Sequence, residues 1–495
     1  MKFKTLVFLF LAICANRGFA QARELYQIKN VDYNIKGATR EYPLSKSVEI
    51  SNDRFFSSQE ELNQYIRDIE QLFLNLRVLE SVRIDITYGD PDATGTIPVY
   101  LVVNTADTWN LIIVPYPELD SNSGFTLKLK LKDFNFFGTM QTLTSDINYN
   151  VDIDGQQAIS GNLDFTIPFK AWGYSFEWDL SAYINIPIDE LVTLEFSTGI
   201  DFELPLGFSD MHIGAEQSVV WNDRDSKDVL YEDWLYFTED VYLKLPIVLT
   251  TLSYFGDVSW TPALNFEFNW DHNGISDPDL KGPTLTASHS LGFDRIDWER
   301  NFRRGVAASL GNSYTYNFGK NKFEISINTK VRGYISFFNI FGLSGQFYFF
   351  YDFFDETNDD QGDMLRGILD DRITTDTAFS LNIDIPIRIM HINFEEITGV
   401  GWTRYVSFEM HLALFFDMAL VHDIQKGTYY SFKDGWYAGG LEVIVYPLKM
   451  RSIYVRASLG FDLAELFTNG FDTGASAKRD GENIQEISIG IGLHY

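Results

Sequence analysis

Few residues of this sequence have the types and spacing that covalent chemistry requires. The seven histidines do not show the spacing of metal ligands. The single cysteine is Cys14, and the sequence contains no Gly-x-Ser-x-Gly or phosphate-loop motif. Two acidic runs, Asp355 to Asp363 and Asp223 to Asp233, are typical of solvated loops, with calcium or lipopolysaccharide-bridging cations as alternative occupants. We therefore expect a protein that is not an enzyme and that binds no cofactor or metal.

Composition narrows the partners and the fold class. The formal net charge of -30 excludes nucleic acid as the main partner, because nucleic-acid binders carry basic patches. After residue 20 no run of about 18 apolar residues occurs, so no membrane-spanning helix is expected. Aromatic residues make up 16% of the chain. This composition fits a transmembrane β-barrel or a soluble all-β protein.

The N-terminus indicates export. Lys2 and Lys4 precede an apolar run, and small residues follow up to Ala20, which is the pattern of a cleaved secretory signal peptide over residues 1–20. Cleavage would remove Cys14, so the mature chain would contain no thiol. A lipidated Cys14 and a buried N-terminal helix are the alternative interpretations.

Residues 23–108 predict a small α+β domain. A first strand, YQIKNVDYNI, precedes the one strong amphipathic helix of the chain, and two further strands follow it. Ser57 with Glu60, or Ser58 with Glu61, supplies a capping box for that helix. Apolar residues recur at helical spacing along it and predict a core-facing stripe; they are Leu62, Ile66, Ile69, Phe73 and Leu76.

Residues 109–495 predict an antiparallel β-barrel. In FTLKLKLKD, Phe125, Leu127 and Leu129 lie on one face and the lysines between them lie on the other. Segments of this kind follow one another to the end of the chain, which is too many for one open sheet. We count about twelve candidates before residue 355 and about five after it. Because single-chain bacterial barrels have even strand numbers, we expect about sixteen strands, with one candidate between residues 190 and 250 in error.

The chain ends in an alternating strand, ISIGIGLHY. Ile489, Ile491 and Tyr495 lie on one face of it, and glycines lie on the other. In a closed barrel the last strand pairs with the first, so we expect every residue of this strand to be structural. The terminal tyrosine is then an anchor at the membrane interface.

Several motifs, in order, resemble the Omp85 superfamily of outer-membrane proteins. LRG at Leu365 to Gly367 resembles the tip of the family's sixth extracellular loop, and NID at Asn382 to Asp384 follows it. FFDMA, Phe415 to Ala419, resembles a conserved strand motif, and LKDFNFFGT resembles the first hairpin. The N-terminal domain resembles a single POTRA unit. Ile368, Asp384 and Ala419 depart from the family's aromatic residue, glutamate and glycine.

The resemblance implies an interaction inside the barrel. Arg366 and Gly367 would form the loop tip, and Asp417 would be the carboxylate partner of Arg366, with Asp384 as a second partner. A buried guanidinium requires a carboxylate in fork geometry, and an inward-facing Asp417 is costly without a partner. Charges solvated in the loop and lumen are the alternative.

The resemblance also implies a function and a location. The expected role is insertion of β-barrel proteins into the outer membrane, or polypeptide translocation across it, in a diderm bacterium with the POTRA-like domain in the periplasm. Partners would be membrane lipid, unfolded clients and accessory proteins, without nucleic acid. We expect a weak seam between strands 124–133 and 484–495, at which a client strand pairs. A passive porin or a surface adhesin is the alternative.

Overall fold

A computed structural model describes most of the chain. The described residues are 25–52, 54–120, 124–151, 155–188, 191–222, 233–252, 254–278, 280–354, 359–360, 364–368, 373–424, 426–468, 471, 478–479 and 482–491. The predicted signal peptide with Cys14, most of the two acidic runs, and Tyr495 lie outside these ranges.

The N-terminal domain is a four-stranded sheet covered by two helices. Its elements are β1 Leu25–Lys36, α1 Glu41–Ser47, β2 Phe55–Phe56, α2 Gln59–Asn75, β3 Leu79–Tyr88 and β4 Thr96–Asp107. The strand order is β2-β1-β4-β3, with β1 parallel to β4 and β3 antiparallel to it. Strand β3 is therefore an edge of the sheet.

Helix α2 forms where the apolar spacing predicts it. The Ser58 side chain accepts a hydrogen bond from the backbone N–H of Glu61, and the Glu61 carboxylate accepts one from the N–H of Ser57. The predicted stripe packs on the sheet: Leu62, Ile66, Ile69 and Phe73 are buried. These residues join Ile28, Leu79 and Leu101 in the core of the domain.

The rest of the described chain is strand joined by connections. The strands that form the barrel are β5 Leu111–Asp120, β6 Gly124–Asp133, β7 Leu143–Val151, β8 Gln157–Ala171, β9 Tyr174–Pro187, β10 Thr193–Pro205, β11 Asp210–Trp221, β12 Leu235–Lys244, β13 Ile247–Leu252, β14 Gly256–Trp270, β15 Thr284–Glu299, β16 Phe302–Asn317, β17 Lys322–Phe337, β18 Phe341–Phe353, β21 Thr377–Ile392, β22 Phe408–Asp423, β23 Thr428–Tyr429, β24 Trp436–Pro447, β25 Val455–Asp462 and β28 Gln485–Ile491.

Short elements occupy the connections. They are β19 Asp359–Asp360, β20 Thr374–Thr375, β26 Lys478–Arg479, β27 Glu482–Asn483, α3 Phe394–Thr398, α4 Leu463–Thr468, and the 3₁₀ helices Phe136–Gly138 and Gly401–Val406. Among the described residues, no helix has the length and apolar character needed to cross a membrane.

The antiparallel strands close into a ring in which β28 lies beside β5. The ring contains twenty segments, but β13 continues β12 along β14, and β23 only extends the pairing of β22. In the described chain this leaves eighteen full strands, thirteen before residue 355 and five after it. The barrel class is confirmed, and the ring is two strands larger than the sixteen we expected.

Two features of the sequence explain the difference in strand number. The candidates between residues 190 and 250 are all real, because β10, β11 and β12 pair along their lengths. The strand that periodicity missed is β5, whose two prolines, Pro115 and Pro117, are unfavourable within a sheet.

The two faces of the barrel wall differ in polarity. On β6, Leu127 and Leu129 are exposed on the outer surface while the lysines between them face inward. Exposed apolar residues recur on the outside around the ring; examples are Ile147, Ile159, Leu264, Phe266, Leu310, Leu343, Leu414 and Leu441. Buried polar residues occupy the inner face of β21 and β22, as Asn382 and Asp417 show. An apolar outside and a polar inside are what a transmembrane barrel requires.

The N-terminal domain packs against one end of the barrel, which we call the near end. The near end carries connections 134–142, 300–301, 393–407 and 448–454, and the opposite far end carries loop 354–376. A cavity of about 1490 Å³ separates helix α2 from the inner wall of β13 to β17.

Candidate functional site

The tip of the far-end loop lies inside the barrel. Leu365, Arg366, Gly367 and Ile368 are buried, and the Arg366 side chain is only 1% exposed. Arg366 Nε donates to Asp417 Oδ2 at 2.9 Å, and Nη2 donates to Oδ1 at 2.8 Å. The backbone N–H of Arg366 donates to the same carboxylate at 3.0 Å. This two-pronged contact is the fork geometry that guanidinium and carboxylate favour.

Further charges surround this pair. Arg366 Nη1 lies 2.7 Å from Asp384 Oδ1 and 3.9 Å from Glu442 Oε2. Arg456 Nη1 lies 3.3 Å from the same Glu442 oxygen. The Arg366 guanidinium carbon also stands 4.0 Å from the centre of the Phe415 ring. Two cations thus share three carboxylates, which leaves the cluster acidic by one formal charge.

The backbone of the loop tip packs directly on the barrel wall at a contact between two glycines, Gly367 and Gly460. Gly367 has a φ of +94°, and a Cβ added to it would lie 2.8 Å from the Gly460 carbonyl carbon in β25. A Cβ on Gly460 would lie 2.7 Å from the Gly367 Cα. Side chains larger than hydrogen at either position would therefore lift the tip from the wall.

Apolar packing completes the seat and accounts for two departures from the family pattern. Ile368 lies in a buried cluster with Leu365, Ile373, Ala419, Trp436 and Ala438. Ile368 is smaller than the usual aromatic residue, and Ala419 is larger than the usual glycine, so the two exchanges compensate in volume. Asn382 Nδ2 also donates to the Met364 carbonyl at 2.6 Å.

The structure brings together the four residues named from the sequence at the loop site. Arg366, Gly367, Asp417 and Asp384 all meet at one place on the inner wall. Sequence reasoning missed Glu442 and Gly460. Glu442 carried the same signal as Asp417, an acid inside an apolar strand, GGLEVIVYP. Gly460 carried no signal, because only the backbone approach of Gly367 requires a glycine there.

The seam lies one strand away from the position that we predicted. Strand 124–133 pairs with β5 on one side and with β7 on the other, so it does not adjoin the closing strand. The neighbour of β28 is β5. Phe125, Leu127 and Leu129 therefore lie on the outer face of the second barrel strand. Ile489 is exposed on the closing strand, Ile491 ends its described part, and Tyr495 lies beyond it.

The hydrogen-bond direction along β5 follows from one bond at its base. The N–H of Phe134 donates to the Asn110 carbonyl at 3.0 Å, and the register then pairs Leu111 with Asp133 without a bulge. In an antiparallel strand, the N–H and C=O of one residue point to one neighbour and those of the next residue to the other. Even-numbered residues of β5 therefore bond to β6, and odd-numbered residues face β28.

Both prolines of β5 are odd-numbered. Pro115 and Pro117 have no N–H, so the edge of β5 that faces the closing strand lacks two donors. The edge that bonds to β6 loses none. Gly490, in the closing strand, adds to the weakness because glycine contributes no side-chain packing. The prolines are visible in the sequence as VPYP, a stretch that is not among the strand candidates counted from periodicity.

The N-terminal domain is joined to the near end of the barrel by the turn of LKDFNFFGT, the motif that resembles the family's first hairpin. Asn135 Nδ2 donates to Thr39 Oγ1 at 2.7 Å, and Thr39 in turn donates to Asp107 Oδ1 at 2.7 Å. The N–H of Arg40 donates to the Gly138 carbonyl at 2.8 Å. A Cβ on Gly138 would fall 1.9 Å from the Ala38 carbonyl oxygen. The turn between β6 and β7 is thus bonded directly to the N-terminal domain.

Arg77 ties the domain to two other near-end turns. Its guanidinium carbon lies 4.0 Å from the centre of the Trp298 ring, and its N–H groups donate to the carbonyls of Arg300 and Arg451. Ser452 Oγ donates to the Arg77 carbonyl at 2.9 Å. Burial lowers the pKa of Arg77 to about 10, which keeps it charged at neutral pH.

A lysine of the domain reaches the inner wall. Lys46 Nζ lies 2.8 Å from Glu177 and 2.5 Å from Glu203. Burial lowers the pKa of Lys46, but bonds to the two carboxylates outweigh this effect and raise it overall. The ammonium therefore stays charged.

One group of potential metal ligands lies beside Lys46. Asp201, Glu203 and His212 bring their ligand atoms within 4.8 Å of one another. His212 Nδ1 is already 2.8 Å from Asp201, Tyr242 donates to Asp201, and Glu203 holds Lys46. These contacts satisfy the group within the described chain, and it does not alter the expectation that the protein binds no metal.

Comparisons with known proteins found similar solved structures at low sequence identity. No family model matches the sequence, and no curated protein matches it. One similar structure is CdiB from Acinetobacter baumannii. The match covers 89% of this chain and 70% of the CdiB chain, at 12% sequence identity and with a TM-score of 0.47. For CdiB from Escherichia coli the match covers 88% of this chain and 72% of the CdiB chain, at 11% sequence identity and with a TM-score of 0.48.

A third solved structure is BamA from Haemophilus ducreyi lacking POTRA domains 1-3. The match covers 94% of this chain and 84% of the BamA chain, at 11% sequence identity and with a TM-score of 0.35. In its small α+β domain, its antiparallel barrel and the arginine-tipped loop on the inner wall, the chain is similar to the Omp85 superfamily that its sequence resembles.

Proposed function

We propose that this protein inserts β-barrel proteins into the outer membrane, or passes polypeptides across it, through the seam between β28 and β5. The observation that carries the proposal is the loss of two donors, at Pro115 and Pro117, from the edge of β5 that faces the seam. A barrel that only had to stay closed would gain stability from any other residue at these positions.

The seam supplies a template for a client strand. When β28 separates, the edge of β5 still offers its carbonyl acceptors and the N–H groups of its other odd-numbered residues. An extended client segment can pair with this edge by β-augmentation. The pairing involves no covalent chemistry and no cofactor, so the protein acts as a binding and folding surface rather than as an enzyme.

The N-terminal domain supplies an earlier binding edge. Strand β3 pairs with β4 on one side only, so its other edge is available to an extended chain. We place this domain in the periplasm, as a single POTRA unit, and the near end of the barrel faces the same compartment. Clients would be unfolded barrel or secreted polypeptides, and accessory proteins could share the domain surface.

The loop tip holds the opposite part of the wall. Arg366 links β21 through Asp384 with β22 through Asp417 and approaches β24 at Glu442. This arrangement keeps the strands after residue 377 together while the seam separates. A passive porin gains nothing from it, because the tip narrows the lumen, and the N-terminal domain lies across the near end.

The test is reconstitution of the purified protein in phospholipid vesicles. An unfolded barrel client is added, and its insertion is followed by the shift in gel mobility between unheated and heated samples. We expect faster insertion than into empty vesicles or into vesicles that hold Arg366→Ala protein. Ion conductance without any acceleration would instead support the porin. If a secreted client becomes protected inside the vesicles while barrel clients gain nothing, translocation is the activity.

A further inference from the structure

One near-end connection is much longer than a turn requires. Among the described residues, 393–407 is the longest near-end connection, whereas 172–173 and 300–301 are tight turns. It contains helix α3 and the 3₁₀ helix Gly401–Val406. We call residues 393–407 the foot.

The polarity of the foot is inverted relative to a loop in water. Ile397 is 70% exposed, Trp402 66% and Val406 50%, and Val400 and Tyr405 are exposed as well. Two of its small polar residues, Thr403 and Ser407, are instead buried. Clustered exposed apolar side chains of this kind mark a surface that another apolar phase covers.

Internal hydrogen bonds hold the foot in this conformation. Ser407 Oγ accepts from the N–H of Phe394 at 2.9 Å and donates to the Thr403 carbonyl at 3.0 Å. Thr403 Oγ1 donates to the Val400 carbonyl at 2.6 Å. These bonds satisfy three backbone groups of the foot from within and hold the segment in the conformation that exposes its apolar side chains.

The foot is continuous with the apolar outer surface of the barrel. Tyr405 contacts Trp109 edge to face, with ring centres 6.4 Å apart. Trp109 alternates in register with Leu111 and Ile113, which are exposed on the outer face of β5. On its other flank the foot follows the exposed outer residues of β21, which are Ile385, Ile387 and Ile389.

We propose that the foot lies in the headgroup region of the membrane leaflet at the near end, as a phospholipid-binding surface beside the base of β5. Ile397, Trp402 and Val406 enter the acyl boundary, which is the usual arrangement of an interfacial segment. Arg404 is exposed and donates to the Tyr405 hydroxyl at 2.9 Å, so the foot carries a guanidinium that can pair with a lipid phosphate. This inference requires a membrane-embedded barrel but is independent of client insertion.

Labelled cysteines test the proposal directly. Because the single cysteine, Cys14, lies in the predicted signal peptide, Ile397→Cys and Trp402→Cys can each carry an environment-sensitive fluorophore in mature protein reconstituted in phosphatidylethanolamine vesicles. Thr94→Cys, in the exposed β3–β4 loop of the N-terminal domain, is the matched control. Each label is challenged with iodide in the water and with lipids that carry nitroxides near the headgroup.

The expected result is a blue-shifted emission at residues 397 and 402, strong quenching by the nitroxide lipids and weak quenching by iodide. The label at residue 94 should show the reverse. A second variant, Ile397→Ser with Val406→Ser, should bring the label at residue 402 toward the control pattern while gel mobility still reports a folded barrel. Iodide quenching of the foot labels equal to the control would overturn the proposal. So would protection from iodide that requires an added periplasmic protein, since the covering partner would then be a protein.

Discussion

The wall that carries the loop tip and the wall that carries the seam are built on opposite principles. Strands β21, β22 and β24 share one buried arginine, and β25 meets the loop through a glycine contact. Strand β5 meets the closing strand with an edge that lacks two donors. One barrel thus contains a wall that is held by several buried contacts and a wall whose hydrogen-bond ladder lacks two donors.

The difference shows that the residues of the two walls meet different requirements, which are fixed geometry at the loop tip and weak strand pairing at the seam. A buried ion cluster is a poor way to gain stability, because desolvation offsets much of the attraction. It is a good way to fix geometry, since removing one partner leaves a buried charge without compensation. The seam shows the converse, because prolines at odd-numbered positions weaken one edge while the ladder to β6 stays complete.

The largest expected effect comes from locking the weak wall. Cysteines at Leu111 or Ile113, paired with cysteines at Ile489 or Ile491, should form a disulfide in one or two combinations. Oxidation should stop client insertion, and reduction should restore it, while heat-dependent gel mobility is unchanged. Locked protein that works as well as reduced protein would contradict the seam mechanism.

The control for the lock uses strand β6. Cysteines at Leu127 or Leu129 should not bridge to Ile489, because two strand spacings of about 4.8 Å exceed the reach of about 7 Å between the Cα atoms of a disulfide. A bridge from β6 would show that the closing strand adjoins 124–133 after all.

Breaking the strong wall should have the next largest effect. Arg366→Ala leaves Asp417 buried and uncompensated, which should weaken the seating of the loop by about 3–5 kcal/mol. Asp417→Ala should act similarly, and the double variant should add little, since partners of one pair are non-additive. Leakage of large antibiotics and proteolysis of the loop measure the release. Fully additive effects would rule out the pairing.

An exposed arginine–glutamate pair serves as the control for the Arg366 variants. Arg304 contacts Glu299 at 3.2 Å with its side chain 65% exposed. Arg304→Ala should cost at most about 1 kcal/mol, because water screens such pairs. A leak as large as that of Arg366→Ala would mean that the loss of any arginine perturbs the barrel.

Adding a methyl group to the glycine contact should have a smaller effect. Gly367→Ala meets both a left-handed φ and the backbone of β25, so we expect a loss of about 1–3 kcal/mol in loop seating. Gly460→Ala should reproduce the loss without the φ strain. Gly333→Ala is the control, since nothing lies within 4 Å of the added Cβ. Loop proteolysis separates the three variants.

Restoring donors at the seam should have the smallest effect. Pro115→Ala and Pro117→Ala each return an N–H, which should stabilise the closed seam by about 0.5–1.5 kcal/mol. Client insertion should slow, and the temperature at which gel mobility changes should rise. Pro168→Ala, in β8, controls for the general effect of removing a strand proline. Faster insertion by the seam variants would contradict the proposed role of the prolines.

Local patterns in the sequence predicted some elements well and others poorly. The stripe and cap of α2 were predictable, because both depend on residues within a few turns of helix. The contacts of Arg366 were predictable only through the order of motifs, since its partners are distant in sequence. Gly460 was not predictable, because its role depends on a backbone approach from another segment. Strand β5 was missed because the residues that weaken the seam also weaken the signal of a strand.

In the proposed mechanism, the joint at the base of β5 would set the direction in which the seam opens. Thr108 Oγ1 donates to the Lys449 carbonyl at 2.7 Å, and Ser452 Oγ donates to Asn110 Oδ1 at 2.9 Å. These bonds tie the start of β5 to the β24–β25 turn and bridge past the closing strand. In that mechanism the base of the seam would act as a hinge, so we expect separation to proceed as a wedge that is widest at the far end. Spin-label distances across the seam should lengthen more at the far end than at residue 111 when a client binds, and uniform lengthening would show that the hinge releases.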